Sequence, residues 1–343
     1  MNKPKILLIA DHPEWAYDHI CNFIIRCLRD RYEFFVDYLL FNKNYINDKS
    51  LNNIQKIKLI VNKYCKYIKY YKKRKLLRNP YMYDIICYLG FYFPFSAKFN
   101  YKSKYIIQGI YTSGFPPQGC SNEDNGIDIK QFINKYLFTS SIIIAGSKEI
   151  YNFYKPYLSD KIYLATGAID TNLFKPSSDR KINKSPKFVI GWTGNPTRKF
   201  KGYWDYILPA IKKIRVNNPN IKFKTRFSGS FNTLPHFYNN VDIVLLASIG
   251  DAGPSCFLEA GACGVPAISI KSGFPGETII DGFNGLIVER NIDSIIKAID
   301  YVYCNRELLW KMSLQIRKDI VKEYSYESRY INWVRVFDKL IDL

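Results

Sequence analysis

Two α/β domains, each a parallel sheet wound with helices, are what this sequence predicts. Three observations predict them: the length, an alternation of short β-like runs with longer helical stretches, and a lapse in that alternation near the middle. At 343 residues the chain exceeds what one hydrophobic core usually serves, so two domains are the default expectation. In the first half, residues 4–10, 33–40, 83–89, 104–110, 141–146 and 161–165 read as strands. A helical pattern through Ile20, Phe23, Ile24, Cys27 and Leu28 follows the first of them. Strands separated by helices imply parallel βαβ units. Between 167 and 187 the pattern gives way to Asp, Asn, Pro, Ser and Lys, the composition of a connector. A second series then begins at residues 188–192, 221–227, 241–247, 265–270 and 285–288. Tyr326, Tyr330, Trp333, Val334, Phe337 and Leu340 give the last stretch a helical period. The expected organisation is therefore a first domain over 1–168, a connector over 169–186, a second domain over 187–325 and a final helix over 326–343.

Composition narrows the class. A hydrophobic fraction of 47% and an aromatic fraction of 16% suffice for two cores and exclude a disordered chain. No apolar run approaches the ~20 residues of a membrane span. The run at residues 6–10 is too short for a secretion signal and lacks a small-residue cleavage site, so the start reads as mature, cytoplasmic protein. The eight cysteines are scattered without a Cys-x-x-Cys pair. That is the usage of free thiols in a reducing compartment, neither a disulfide framework nor a zinc site.

The net charge of +20 comes from 50 basic against 30 acidic side chains, a surplus that attracts polyanions. Abundant Lys, Asn, Ile and Tyr give it a second source, the codon usage of an AT-rich genome. The charge concentrates between Lys56 and Arg78, which holds ten basic residues and no acid. There Ile57, Ile60, Val61, Tyr64, Ile68 and Tyr71 recur at helical spacing. One reading is a solvated helix whose apolar stripe packs on its domain. The other is an interfacial helix on an anionic membrane surface, where each basic side chain contributes about 1 kcal/mol. No zinc-finger, RRM-type or KH-type signature accompanies the charge, and no nucleic acid is expected.

The chemistry concentrates in Asp251-Ala-Gly-Pro-Ser-Cys-Phe-Leu-Glu259, between two apolar strand runs. Asp251 falls in the loop at a strand's C-terminal end, the edge where open α/β sheets bind ligands. A helix is expected from about Gly253 to Ser255. Its first amides lack intrahelical partners and its dipole favours an anion, such as a diphosphate. Glu259 follows eight residues after Asp251, about two turns into the helix and on its inward side. Two carboxylates so placed can accept hydrogen bonds from sugar hydroxyls on either side of a diphosphate. The same spacing also fits an ordinary strand, loop and helix with one capping Asp and one surface Glu.

This run resembles the donor-site signature of the retaining GT-B glycosyltransferases, glycosyltransferase family 4 (glycosyl transferases group 1). Further matches keep that family's order: Ala145-Gly-Ser147, Gly167-Ala-Ile-Asp-Thr-Asn-Leu-Phe-Lys-Pro176, Gly191-Trp-Thr-Gly194 with Lys201-Gly202, and Gly276-Glu277 with Asp281-Gly-Phe-Asn-Gly-Leu-Ile-Val288. The resemblance runs from about residue 140 to 290. It implies two Rossmann-like domains facing each other across a cleft, with the final helix crossing back to the first. It also implies a nucleotide-sugar co-substrate (UDP-, GDP- or ADP-sugar), a glycan or lipid-linked acceptor, retention of anomeric configuration and no metal.

By the same resemblance, Glu259 would hold the ribose hydroxyls and Asp251 those of the transferred sugar. The amides of Ser255 and Cys256, with Gly253 and Gly194 alongside, would border the diphosphate. Lys201, with Arg198 as a second cation, would neutralise it as it leaves, since fixed cations stabilise developing charge without reorganisation. The chain departs from the family in having Asp251 for a Glu, Asn195 for an Arg after the first strand of the second domain, and residues 11–19 for a Gly-Gly loop. His12 and His19 in that loop, and Tyr111 and Ser113 in Gly109-Ile-Tyr-Thr-Ser-Gly-Phe-Pro-Pro117, are the candidates for the acceptor side. The alternatives are a catalytically weak or inactive binding protein and a sugar-nucleotide epimerase on the same fold.

Overall fold

The structure, a computed structural model, describes residues 3–42, 52–74, 82–97, 99, 101–178 and 187–341. Residues 179–186 of the expected connector and 75–78 of the basic segment lie outside these. The chain divides into two units. The first is Met1–Gly146, Tyr151–Gly167 and Tyr330–Leu343; the second is Ser147–Ile150 and Ala168–Arg329.

The first unit carries β1 (Lys5–Ala10), α1 (Ala16–Leu28), β2 (Glu33–Tyr38), α2 (Leu39–Asn42), α3 (Asn53–Arg74), β3 (Met82–Tyr88), α4 (Phe93–Ser96), β4 (Lys102–Ile110), α5 (Ile129–Phe132), β5 (Ile142–Ala145), α6 from Tyr151 on (the helix is Lys148–Leu158) and β6 (Ile162–Leu164). Its sheet is parallel, in the order β2-β1-β3-β4-β5-β6. Ile6 to Ala10 are all buried, as a strand covered on both faces must be. The expected second strand stops at Tyr38, and Leu39 and Leu40 open α2 instead.

The second unit carries β7 (Phe188–Thr193), α7 (Leu208–Asn217), β8 (Ile221–Arg226), α8 (Leu234–Asn239), β9 (Ile243–Leu246), α9 (Ser255–Ala262), β10 (Ala267–Ser269), α10 (Gly273–Thr278), β11 (Leu286–Ile287), α11 (Ile292–Cys304), α12 (Arg306–Tyr324) and the first turn of α13 up to Arg329 (the helix is Tyr326–Ile341). Its parallel sheet runs β11-β10-β9-β7-β8. Alternate residues of β9 feed opposite cores, the two-residue period of a strand. Ile243 and Leu245 join Trp192, Ile211 and Ile299, whereas Val244 and Leu246 join Phe257, Leu258 and Ile320. The far part of α13 is core of the first unit: Trp333 and Phe337 are fully buried, and the Trp333 indole donates to the Thr166 carbonyl at 3.2 Å.

Helix α3 divides its apolar residues between two faces. Tyr67 and Tyr70 pack edge-on against Phe41 and Tyr38. Ile54, Ile57, Val61, Tyr64 and Ile68, spaced three and four apart, remain 55–66% exposed. The stripe read from the sequence does not pack as one: Ile57, Val61, Tyr64 and Ile68 face solvent while Ile60 is half-buried.

Candidate functional site

The loops after β7 and β9 leave the C-terminal edge of the second sheet. After β7, Asn195 Oδ1 accepts from the Thr197 amide (2.9 Å) and hydroxyl (2.8 Å), which shapes the turn. The Lys201 amide then donates to Arg198 O at 3.0 Å, and Gly202 ends the turn with φ +65°, a left-handed conformation glycine tolerates. Lys201 Nζ lies 3.6 Å from Asp251 Oδ2, with both side chains largely buried. Gly194 lies beneath that lysine, where a Cβ would meet Lys201 Cδ at 3.4 Å. Arg198 is exposed at the start of the same turn.

The Asp251 loop is pressed into place from one side. The Phe274 ring covers Gly253 so closely that a Cβ there would come within 2.1 Å of it. Helix α9 then begins at Ser255, after Pro254, with no side-chain cap. Its opening amides, Ser255 and Cys256, point out of a helix end whose dipole favours an anion. Because the helix starts there, Glu259 is its fifth residue, little more than one turn in. The extended Asp251–Pro254 loop supplies the remaining separation.

Glu259 is buried, 5% exposed. The Tyr238 hydroxyl donates to its Oε2 at 2.6 Å, and Thr193 Oγ1 lies 3.0 Å from the same tyrosine oxygen. Burial pushes the Glu259 carboxyl above its usual range, against the pull of Tyr238, Ser255, Lys201 and Arg226. Burial likewise pushes the Cys256 thiol to about 12, so it is a neutral group here and no nucleophile. Lys201, Asp251 and Glu259 all act on that thiol, so the four residues form one electrostatic neighbourhood. Thr193 and Tyr238 were not singled out from the sequence. Thr193 stood inside the Gly191-Trp-Thr-Gly194 run; Tyr238 stood in no motif.

The remaining candidates lie in the first unit. His12 follows β1 and stacks on Trp15, ring centroids 4.2 Å apart, and His19 is half-buried in the first turn of α1. Tyr111 follows β4, and its ring sits where a Cβ at Gly109 or Gly146 would be, 2.5 and 2.4 Å away. Its hydroxyl donates to Ala165 O at 3.3 Å, and burial holds its pKa well above 10. Tyr17 of α1 meets the Tyr111 ring edge-on at 5.3 Å, joining the loops after β1 and β4. Ser113 is half-buried, and beside it the Thr112 hydroxyl is buried without a hydrogen-bond partner.

Residues 210–319 match the family model of glycosyl transferases group 1. The match takes in Asp251 and Glu259 and begins after Lys201. Over 113 residues the chain is 28% identical to an uncharacterized glycosyltransferase of Methanocaldococcus jannaschii, covering 33% of this chain and 32% of that protein. It therefore spans about a third of that curated relative's length. Among solved structures, the sucrose-phosphate synthase of Thermosynechococcus elongatus aligns with a TM-score of 0.70 at 12% identity, over 99% of this chain and 100% of that one. HepE of Anabaena in complex with UDP and glucose aligns with 0.65 at 15% identity, over 98% and 100%. A TarM mutant of S. aureus, in complex with fondaparinux, alpha-GlcNAc-glycerol and UDP, aligns with 0.60 at 15% identity, over 74% and 55%. The fold is that of the GT-B glycosyltransferases: two parallel-sheet, Rossmann-like domains.

Proposed function

We propose that this protein is a glycosyltransferase that moves a sugar from a nucleotide diphosphate-sugar to a hydroxyl of a glycan or lipid-linked acceptor, with retention of configuration. The observation that carries the reading is the Lys201–Asp251 pair beside the uncapped start of α9 and the buried Thr193–Tyr238–Glu259 chain. In it, Glu259 accepts the ribose hydroxyls, Asp251 the hydroxyls of the sugar, and the Ser255 and Cys256 amides face the diphosphate across Gly194 and Gly253. Lys201, assisted by Arg198, meets the charge that builds on the β-phosphate as the glycosidic bond breaks. The UDP held by the HepE and TarM structures supports a nucleotide-sugar donor, and the glycan ligands of TarM support a glycan acceptor. A thermal-shift panel of UDP-, GDP-, ADP- and CDP-sugars tests the donor. A ligand at a hundredfold its Kd adds about 2.7 kcal/mol of stability, and a panel in which none shifts the midpoint sinks the donor site. Interconversion of the free sugar nucleotide would favour the epimerase. Binding without transfer or donor hydrolysis would favour an inactive binding protein.

The acceptor side of this reading extends to a membrane surface. Among the described residues no helix is long and apolar enough to cross a bilayer. Helix α3, by contrast, holds Lys56, Lys58, Lys63, Lys66 and Lys69 and no acid, beside its exposed stripe of Ile54, Ile57, Val61, Tyr64 and Ile68. Like charge opposes pairing with a second copy of this helix; an anionic leaflet offers headgroups to the lysines and an acyl boundary to the stripe. The protein should co-sediment with vesicles containing phosphatidylserine at low salt and release at high salt, since exposed charges are screened within about 8 Å at physiological ionic strength. Replacing Ile57 and Val61 with Ser should weaken that binding and leave donor binding unchanged. Equal affinity for neutral vesicles would remove α3 from this role.

A further inference from the structure

Arg290 lies in the loop between β11 and α11, outside every motif singled out from the sequence. Its Nε donates to Ala247 O at 3.0 Å and its Nη2 to Phe200 O at 3.1 Å. Its guanidinium stands 4.5 Å over the Tyr206 ring. The Ile249 amide donates to the same Phe200 carbonyl at 3.1 Å. Phe200 immediately precedes Lys201, and Ala247 follows β9 on the path to Asp251. One side chain thus ties together the two loops that carry the charged pair. A guanidinium suits this task because its rigid fork reaches two carbonyls while its face stacks on an aromatic ring; an ammonium is a point donor that cannot do all three. Close by, a Cβ on Gly202 would stand 3.2 Å from both the Cβ and the carbonyl oxygen of Ala247. The turn is therefore already seated against the end of β9, with no slack for a lengthened contact.

We propose that Arg290 is a positioning residue: it holds the Lys201 turn against the end of β9, so that the ammonium stays beside Asp251 where the donor's diphosphate is received. The inference rests on the donor-site reading. Without the clasp, the Phe200 carbonyl keeps only the Ile249 amide, and the long lysine side chain samples positions away from the pair. Preorganised charge loses most of its value when it must be reordered at each turnover.

The test crosses Arg290→Lys and Arg290→Gln with Lys201→Ala, using UDP binding by calorimetry and hydrolysis of UDP-glucose as probes. Arg290→Lys should weaken UDP by about tenfold with Lys201 present and by less than about twofold in the Lys201→Ala protein, the coupling expected of neighbours acting through one another. Turnover should fall with it, and amide exchange at Lys201 and Ile249 should speed up while the thermal midpoint holds. Unchanged UDP affinity, or the same loss in both backgrounds, overturns the proposal. If the unsubstituted protein binds none of UDP, GDP and ADP, the donor-site reading fails instead. Exchange at Lys201 and Ile249 then decides the clasp alone, and unaltered exchange in Arg290→Lys overturns it.

Discussion

Each unit buries a carboxylate against a tyrosine. Asp37, at 9% exposure, is the last residue but one of β2 in the first unit; Glu259, at 5%, sits in α9 of the second. Burial raises the pKa of both. They differ in how they are satisfied. Asp37 accepts from the Tyr38 amide (2.7 Å), the Asn42 amide group (2.8 Å) and the Tyr101 hydroxyl (2.7 Å), all from the body of its own unit. Glu259 accepts from the buried Tyr238 hydroxyl at 2.6 Å, and its other side-chain donor is Ser255, exposed at the open end of the helix. A buried carboxylate closed off by its own domain holds a fold together, whereas one whose second donor faces solvent at a helix N-terminus is positioned to exchange that donor for a ligand hydroxyl. The surroundings follow the same division. Lys201 acts on Glu259 and stands beside Asp251, while Asp37 is ringed by Tyr38, Tyr88 and Tyr101.

The largest effect should come from the charge beside Glu259. Lys201→Ala should lower kcat by about 10²- to 10³-fold, the usual consequence of removing one preorganised transition-state donor, with a smaller change in donor KM. A raised KM at constant kcat would mean that Lys201 binds ground and transition states alike, and the catalytic assignment would fall.

A crossed pair of truncations tests the comparison itself. Glu259→Ala should weaken donor binding by about 1.5–3 kcal/mol, the value of a hydrogen bond to a charged group, with little loss of stability. Asp37→Ala should do the reverse. It removes an acceptor shared by the Tyr101 hydroxyl, the Asn42 amide group and the Tyr38 N–H, at about 1–3 kcal/mol for a lost hydrogen bond to a buried charged group, with donor affinity intact. Calorimetry and chemical denaturation of both variants read the two quantities. If both variants lose the same one, the two carboxylates are not differently employed.

Much of this was legible in the sequence. All eleven β-like runs became strands, with ends that moved by up to two residues, because apolar runs bounded by Gly, Pro and Asn report burial directly. The loop-and-helix context of Asp251 and Glu259 was legible for the same reason. What pattern could not supply were contacts between residues far apart in the chain. Thr193, Tyr238 and Glu259 meet only after three elements pack, and Arg290 finds Phe200 ninety residues upstream. Periodicity revealed α3 but could not say which of its two apolar faces would pack, since both have helical spacing. Tyr111 read as a candidate for the acceptor side, and it is wedged between Gly109 and Gly146; two glycines flanking a ring from distant parts of the chain leave no local signature.

The smallest expected effect is the most discriminating. A carboxyl whose pKa is raised on folding holds its proton more tightly in the native state, so its stabilising contribution is present below its unfolded value and is lost as pH rises through the folded pKa. Asp37 and Glu259 are both raised, from 3.8 and 4.5. Both should therefore make the wild-type protein lose ground to its amide variants as pH rises from about 4 towards 7. Asp37→Asn and Glu259→Gln should each show a thermal-midpoint advantage that widens over that range. Nucleotide should then separate them. A ribose hydroxyl donating to Glu259 favours its ionised form and draws its pKa down, so saturating donor should flatten the slope seen in the Glu259→Gln comparison. Asp37 accepts its bonds from within its own unit and should keep its slope unchanged. Measuring midpoints of wild type, Asp37→Asn and Glu259→Gln across pH, with and without UDP, gives the answer. A slope at Glu259 that ignores the nucleotide would make this carboxylate a second Asp37, a structural group without a ligand.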